Sequence, residues 1–199
     1  MADRPMALVL DPCALLRYRP ERRLMALARA SGLDAVTVRK RLFDSGFMRS
    51  CEAGQINAEA SGREIARLLG RRWGPAQLRE LWASAFEADA DMLGLMHDLR
   101  RRFSLALLGN SSLLERDALE QRFDTILELL RPRLYSAEVG RLKPDPGLYA
   151  TLLGLLGLSP GQVLLVDPAP QNIAGAAALG WQTHLFEGAA GLRTRLLAQ

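Results

Sequence analysis

Three short apolar runs in this chain each stop at polar residues that could do chemistry. Met6 to Leu10 ends at Asp11, Ser104 to Leu108 ends at Gly109-Asn110-Ser111, and Val163 to Val166 ends at Asp167. A carboxylate is ionised at neutral pH and can act as a nucleophile, and magnesium-type cations prefer such oxygens. Asn110 and the hydroxyls of Ser111 and Ser112 suit the binding of phosphate oxygens or the capping of a following helix. Asp11 and Asp167 could also cap the segments that begin at Pro12 and near Pro168. Lys143 supplies a cation within Gly140-Arg141-Leu142-Lys143-Pro144-Asp145-Pro146. Of the 26 basic residues only Lys40 and Lys143 are lysine, so a lysine here is not a casual choice for a solvent-facing position.

Continuous apolar runs of this length are the pattern of strands buried on both faces. Gln182 to Phe186 is a further β-compatible run, and Arg133 to Ser136 a weaker one. Between them lie helical patterns, with Met92, Leu95, Met96 and Leu99 on one face of Asp91 to Arg101, and Leu148, Leu152 and Leu155 on one face of Pro146 to Leu156. This alternation predicts an α/β fold with a parallel sheet and helices on both faces. In such a sheet the ligand sits beyond the carboxyl ends of the strands, where Asp11, Asn110 and Asp167 fall. From Arg17 to Ala90 the patterning is helical only, at Glu21 to Ala30, Ala35 to Phe43, Ala58 to Leu69 and Ala76 to Phe86, with no strand-like run. The expected organisation is therefore a core of residues 1–16 and 92–199 with a helical insertion over 17–91.

Four fragments in order carry a resemblance: the strand ending in Asp11, the strand ending in Gly109-Asn110-Ser111-Ser112, the Lys143-Pro144-Asp145-Pro146 segment, and Leu164-Leu165-Val166-Asp167 running through Asn172-Ile173 to Ala178-Leu179-Gly180. Over nearly its whole length the chain resembles the haloacid dehalogenase-like (HAD) hydrolase superfamily. The similarity is to the branch with a small helical cap after the first strand, which includes sugar-phosphate phosphatases and the N-terminal domain of soluble epoxide hydrolase. The resemblance implies a three-layer, Rossmann-like core and an inserted cap. It implies that Asp11 is a nucleophile forming an aspartyl-phosphate. It further implies that Lys143 neutralises the nucleophile and the transferring group, and that Mg2+ is held by Asp11, Asp167 and the backbone carbonyl of Cys13, with Asn172 a lesser candidate. Asn110 and Ser111 take the substrate-binding places.

Three positions depart from that family's pattern. The first motif reads Asp11-Pro12-Cys13 where the family usually has a second aspartate as general acid, and a cysteine replaces a carboxylic acid poorly in that role. Gly109 stands where a Ser or Thr usually donates to the phosphoryl group. Pro168 and Asn172 stand where a second metal carboxylate is expected, which implies weaker magnesium binding. The resemblance thus implies a slow phosphomonoesterase. The alternatives are a catalytically degenerate HAD fold that binds a ligand or protein partner, and a metal-independent 2-haloacid dehalogenase, a branch expected to carry Ser and Asn where Asp167 and Ala169 stand.

Composition sets the outer bounds. At 199 residues, 49% hydrophobic and 24% charged, the chain is long and apolar enough to bury a core, which excludes fibrous and disordered classes. Its longest nearly apolar stretch, Leu148 to Leu158, is too short to span a bilayer, and Met6 to Leu10 is too short for a signal-peptide core, so a cytoplasmic protein is expected. Cys13 and Cys51 form no metal or disulfide pattern, and His97 and His184 are isolated. The net charge is +4, and Arg17 to Arg49 alone carries nine basic and three acidic residues. That stretch would favour a small anionic substrate. It reads as a solvated arginine-rich face rather than a nucleic-acid surface, because no aromatic residues interleave the arginines.

Overall fold

The computed structural model describes residues 4–197. The chain runs β1 (Ala7–Leu10), α1 (Pro12–Leu15), β2 (Leu16–Tyr18) and α2 (Pro20–Ser31). It continues as α3 (Ala35–Val38), a π-helical turn (Arg39–Phe43), α4 (Phe47–Glu52), α5 (Ala58–Leu69), α6 (Pro75–Ala83) and β3 (Phe86–Ala88). Next come α7 (Ala90–Leu99), β4 (Ser104–Gly109), α8 (Leu113–Arg122), α9 (Asp124–Leu127), β5 (Arg133–Tyr135) and α10 (Ser136–Val139). The last elements are α11 (Pro146–Leu156), β6 (Val163–Asp167), α12 (Pro170–Ala178), β7 (Gln182–Leu185) and α13 (Ala189–Leu197).

Five strands form a parallel sheet in the order β5-β4-β1-β6-β7. All four residues of β1 are fully buried, and their side chains alternate between two cores. Leu8 and Leu10 join Met96, Leu99 and Phe123 on one face, while Ala7 and Val9 join Leu148, Tyr149 and Trp181 on the other. Complete burial of a leucine such as Leu10 stabilises the fold by about 1.5–3 kcal/mol, which is why these runs lack the polar alternation of a half-exposed strand. β1 lies between β4 and β6, with Leu10 level with both Leu107 and Val166. From β1 the chain builds β4 and β5 on one side and then crosses to β6 and β7 on the other, the change of direction beside which α/β sheets place ligands at the carboxyl ends of their strands.

The helices between β2 and β3 enclose a third core built on Leu27, Leu42, Ile65, Leu69 and Trp82, to which α8 contributes Leu114 and Ala118. Two features here correct the sequence reading. β2 and β3 form an antiparallel ribbon where no strand was expected, pairing Leu16 with Ala88 and Tyr18 with Phe86, whose rings lie 5.0 Å apart. Each strand is only three residues long, too short for a period of two to register. The helix expected to reach Phe86 therefore ends at Ala83, and the six-residue α4 is an additional helix of under two turns.

Candidate active site

Asp11, Asp167 and Lys143 meet at the carboxyl ends of β1 and β6. The Asp11 backbone N–H still donates to Val166 O at 3.0 Å, so the sheet ladder delivers this residue beside β6. Its Oδ1 then accepts the Cys13 N–H at 2.7 Å and caps α1, while Oδ2 accepts from Lys143 Nζ at 2.6 Å. The same Nζ donates to Asp167 Oδ2 at 2.7 Å and to Leu108 O at 2.6 Å, which uses all three ammonium hydrogens. Asp11, Lys143 and Asp167 are 8%, 4% and 1% exposed. Burial alone would lower the lysine pKa, but Asp11 and Asp167 outweigh it and hold it above its ordinary value, so Lys143 is a permanent cation.

The lysine is held from three directions. Asn110 clasps its backbone, with Oδ1 accepting the Lys143 N–H at 2.7 Å and Nδ2 donating to the Lys143 carbonyl at 3.0 Å. Pro144 packs on α12 at Gly175, where a Cβ would lie 2.5 Å from Pro144 Cβ; only glycine permits that approach. Asn172, on the same helix, donates through Nδ2 to both oxygens of Asp167, at 3.1 and 3.0 Å, and Tyr149 Oη donates to the Asn172 carbonyl at 2.9 Å. Because a carboxylate only accepts, Asn172 must turn its N–H2 group toward Asp167. Asp167 Oδ1 also accepts the Ala169 N–H at 2.8 Å.

Ser112 caps α8 by accepting the Glu115 N–H at 3.1 Å, so for this residue the capping reading is the one realised. The Ser111 N–H donates to Ser136 Oγ at 3.0 Å, and that hydroxyl in turn donates to the Glu52 carbonyl at 2.7 Å. The loop after β4 is thereby tied to the end of α4. Burial and then the Asp11 carboxylate push the Cys13 thiol well above its usual pKa.

Sequence reasoning missed the polar cluster beside this loop. Arg23 on α2 is buried, donates to Trp82 O at 3.0 Å, and pairs with Glu115 on α8 at 2.7 Å. Its guanidinium lies 5.2 Å from the Trp82 ring centroid. The run of arginines read as solvent-facing hid it, although its helical phase with Leu27 was a usable signal. Burial and then Glu115 raise the Glu52 pKa to about 7.

As a cation site the available donors are spare. Among the described residues no group of three or more His, Cys, Asp or Glu side chains gathers to hold a metal. Two carboxylates are present: Lys143 takes Oδ2 of each, and Asp167 Oδ1 accepts from Ala169 and Asn172. Asp11 Oδ1 accepts only the Cys13 N–H among the described residues, so a magnesium ion that keeps several of its waters fits this sparse set chiefly through Asp11. Asp11, Asp167 and the Cys13 carbonyl are the oxygens that would hold it.

No family model matches the chain. D-ribitol-5-phosphate phosphatase from Bacteroides thetaiotaomicron is 25% identical over 169 residues, 82% of each protein. Among solved structures, a HAD-like family hydrolase from Porphyromonas gingivalis superposes with a TM-score of 0.81 at 23% identity, covering 99% of this chain and 100% of the other. A HAD family enzyme from Bacteroides thetaiotaomicron, solved with magnesium and inorganic phosphate, gives a TM-score of 0.74 at 17% identity over 90% and 93%. The chain therefore has the fold of the haloacid dehalogenase-like hydrolases, the superfamily that its four motifs resemble.

Proposed function

We propose that this protein is a phosphomonoesterase of low turnover that acts on a small phosphorylated substrate. The observation that carries the reading is Lys143 Nζ lying 2.6 Å from Asp11 and 2.7 Å from Asp167 at the strand crossover. In this mechanism an Asp11 carboxylate oxygen attacks phosphorus as the P–O ester bond breaks, the leaving oxygen takes a proton from water and departs as the alcohol, and a second water hydrolyses the aspartyl-phosphate to release inorganic phosphate and regenerate the carboxylate. Lys143 offsets the negative charge as nucleophile and phosphoryl group approach, where a fixed cation has its largest effect. Asn110 positions Lys143 through its backbone. When bound at Asp11, Asp167 and the Cys13 carbonyl, Mg2+ supplies further charge neutralisation. It binds more weakly than at a site with a third carboxylate, because the neutral Asn172 takes that place.

The helical segment over 17–91 serves as the cap, and its separation from the core admits substrate to these nearly buried groups. The relatives that act on or bind phosphate compounds support this reading of the chemistry. Loss of a general acid typically costs about 100- to 10,000-fold in rate, which sets the expectation of slow turnover with Cys13 in that place. The cysteine that stands in place of the general acid favours one second reading, a binding protein on the hydrolase scaffold. Release of phosphate from monoesters, with Asp11→Asn as control, separates the two. A 2-haloacid dehalogenase is less well supported, since Asp167 brings a second carboxylate against Lys143 where that branch has a neutral residue.

A further inference from the structure

A groove on the helical segment lies away from the Asp11 site. It measures about 820 Å³, runs between α5, α6 and the start of α8, and has no lining contribution from Asp11, Lys143 or Asp167. That volume is within the range of small-molecule sites, roughly 300–1,000 Å³. Its floor is apolar, built from Ala58, Gly62, Ala66, Leu78 and Leu114. Trp73 also lines it, and its indole Nε1 is buried with no hydrogen-bond partner among the described residues.

The rim is strongly cationic. Arg63, Arg67, Arg71, Arg72 and Arg79 face only Glu59 and Asp117 across the lining. Arg63 pairs with Glu59 and Arg67 with Glu64, and Arg79 donates to the neutral Gln121. The side chains of Arg71 and Arg72 make no hydrogen bond or ion pair among the described residues. The apolar floor and the unpaired cations are complementary to one kind of molecule: an apolar body with an anionic head. A second copy of this chain is a poor occupant, since its net charge is +4. A nucleic acid is poorer still, because Trp73 is the only aromatic residue in the lining.

The geometry points to a second ligand site in this groove, for a small amphipathic anion with a carboxylate or phosphate head. The site does not depend on phosphatase activity. It joins α5 and α6 to α8, which begins directly after the Asn110-Ser111-Ser112 loop, so an occupant would bridge the helical segment and the core.

The test uses the intact protein with decanoate and decyl phosphate as probes, each below its micelle concentration, and reads tryptophan fluorescence and calorimetric heat. Saturable binding of either probe is expected, with the fluorescence response lost in Trp73→Phe. Ala66→Leu, which fills the floor, should abolish binding, and Arg71→Gln with Arg72→Gln should weaken it about three- to tenfold. The two probes distinguish a carboxylate from a phosphate ligand. The proposal is overturned if neither anion binds, if decyltrimethylammonium binds as well as the anions, or if the arginine pair and Ala66→Leu both leave affinity unchanged. Saturation by an acidic amphipathic peptide in the absence of any binding by the small probes would also overturn it, in favour of a protein partner.

Discussion

Pro12 occupies the space that a side chain at residue 109 would need. A Cβ built on Gly109 lies 2.9 Å from Pro12 Cγ and 3.2 Å from Pro12 Cδ, with Ser111 Oγ at 3.1 Å. Gly109, which departs from the family pattern, and Pro12, beside the departure at Cys13, are therefore one packing solution although they sit far apart in the chain. Pro12 is pre-set for the first turn of α1, and its ring excludes the hydroxyl that the family pattern places at residue 109, the end of β4. Gly109→Ser alone should destabilise the protein by about 1–3 kcal/mol through overpacking. Adding Pro12→Ala should return most of that loss. Urea denaturation of the two variants decides it, and equal instability in both would show that the ring is not the obstacle.

Cys13→Asp places a carboxyl group two residues after Asp11. Initial rates of phosphate release should rise, by about 10- to 100-fold, a part of what a positioned general acid contributes. A rate no higher than that of the unsubstituted protein would mean that the limiting step is not proton transfer to the leaving group.

Lys143→Met would leave Asp11 and Asp167 buried and facing one another without a counter-charge. Turnover should fall at least about 100-fold. Stability at pH 7 should fall by about 3–5 kcal/mol. The raised lysine pKa places its own contribution at full strength at all pH values below the ordinary 10.5, and it is lost only as pH climbs through the raised value. Thermal melts of the two proteins at pH 7 would show the loss, and equal melting temperatures would contradict it.

Glu52 gives a pH signature near neutrality. Its pKa rises from 4.5 to about 7 through burial and then repulsion from Glu115, against opposing contributions from Arg23 and Arg49. A carboxyl raised on folding favours the native state fully below pH 4.5, and that advantage disappears as pH rises through about 7. Glu52→Gln should therefore flatten the decline in melting temperature between pH 5 and pH 8, and stabilise the protein at pH 8 by roughly 1–3 kcal/mol. Parallel melting curves for the two proteins across that window would rule out an ionising Glu52.

The strands that carry Asp11, Gly109 and Asp167 were legible because burial on both faces writes a continuous apolar run directly into the sequence. Lys143 was legible from its scarcity and its motif. What stayed hidden depends on distance along the chain. The β2–β3 ribbon needs residues 16–18 and 86–88 together, the Asn110 clasp closes on a backbone 33 residues away, and Arg23 finds Glu115 on a helix of the core. The clash between Pro12 and a side chain at 109 is of the same kind, since neither residue signals the other locally.

The central claim is that Asp11, braced by Lys143, is a working nucleophile toward phosphorus. Its most direct test is steady-state phosphate release from a panel of phosphate monoesters by purified protein, with and without Mg2+, beside Asp11→Asn as the control for contaminating phosphatases. The predicted result is magnesium-stimulated release that vanishes in the variant while its circular dichroism spectrum stays unchanged. Release no greater than that of Asp11→Asn on every ester would contradict the mechanism and leave the scaffold as a binding protein.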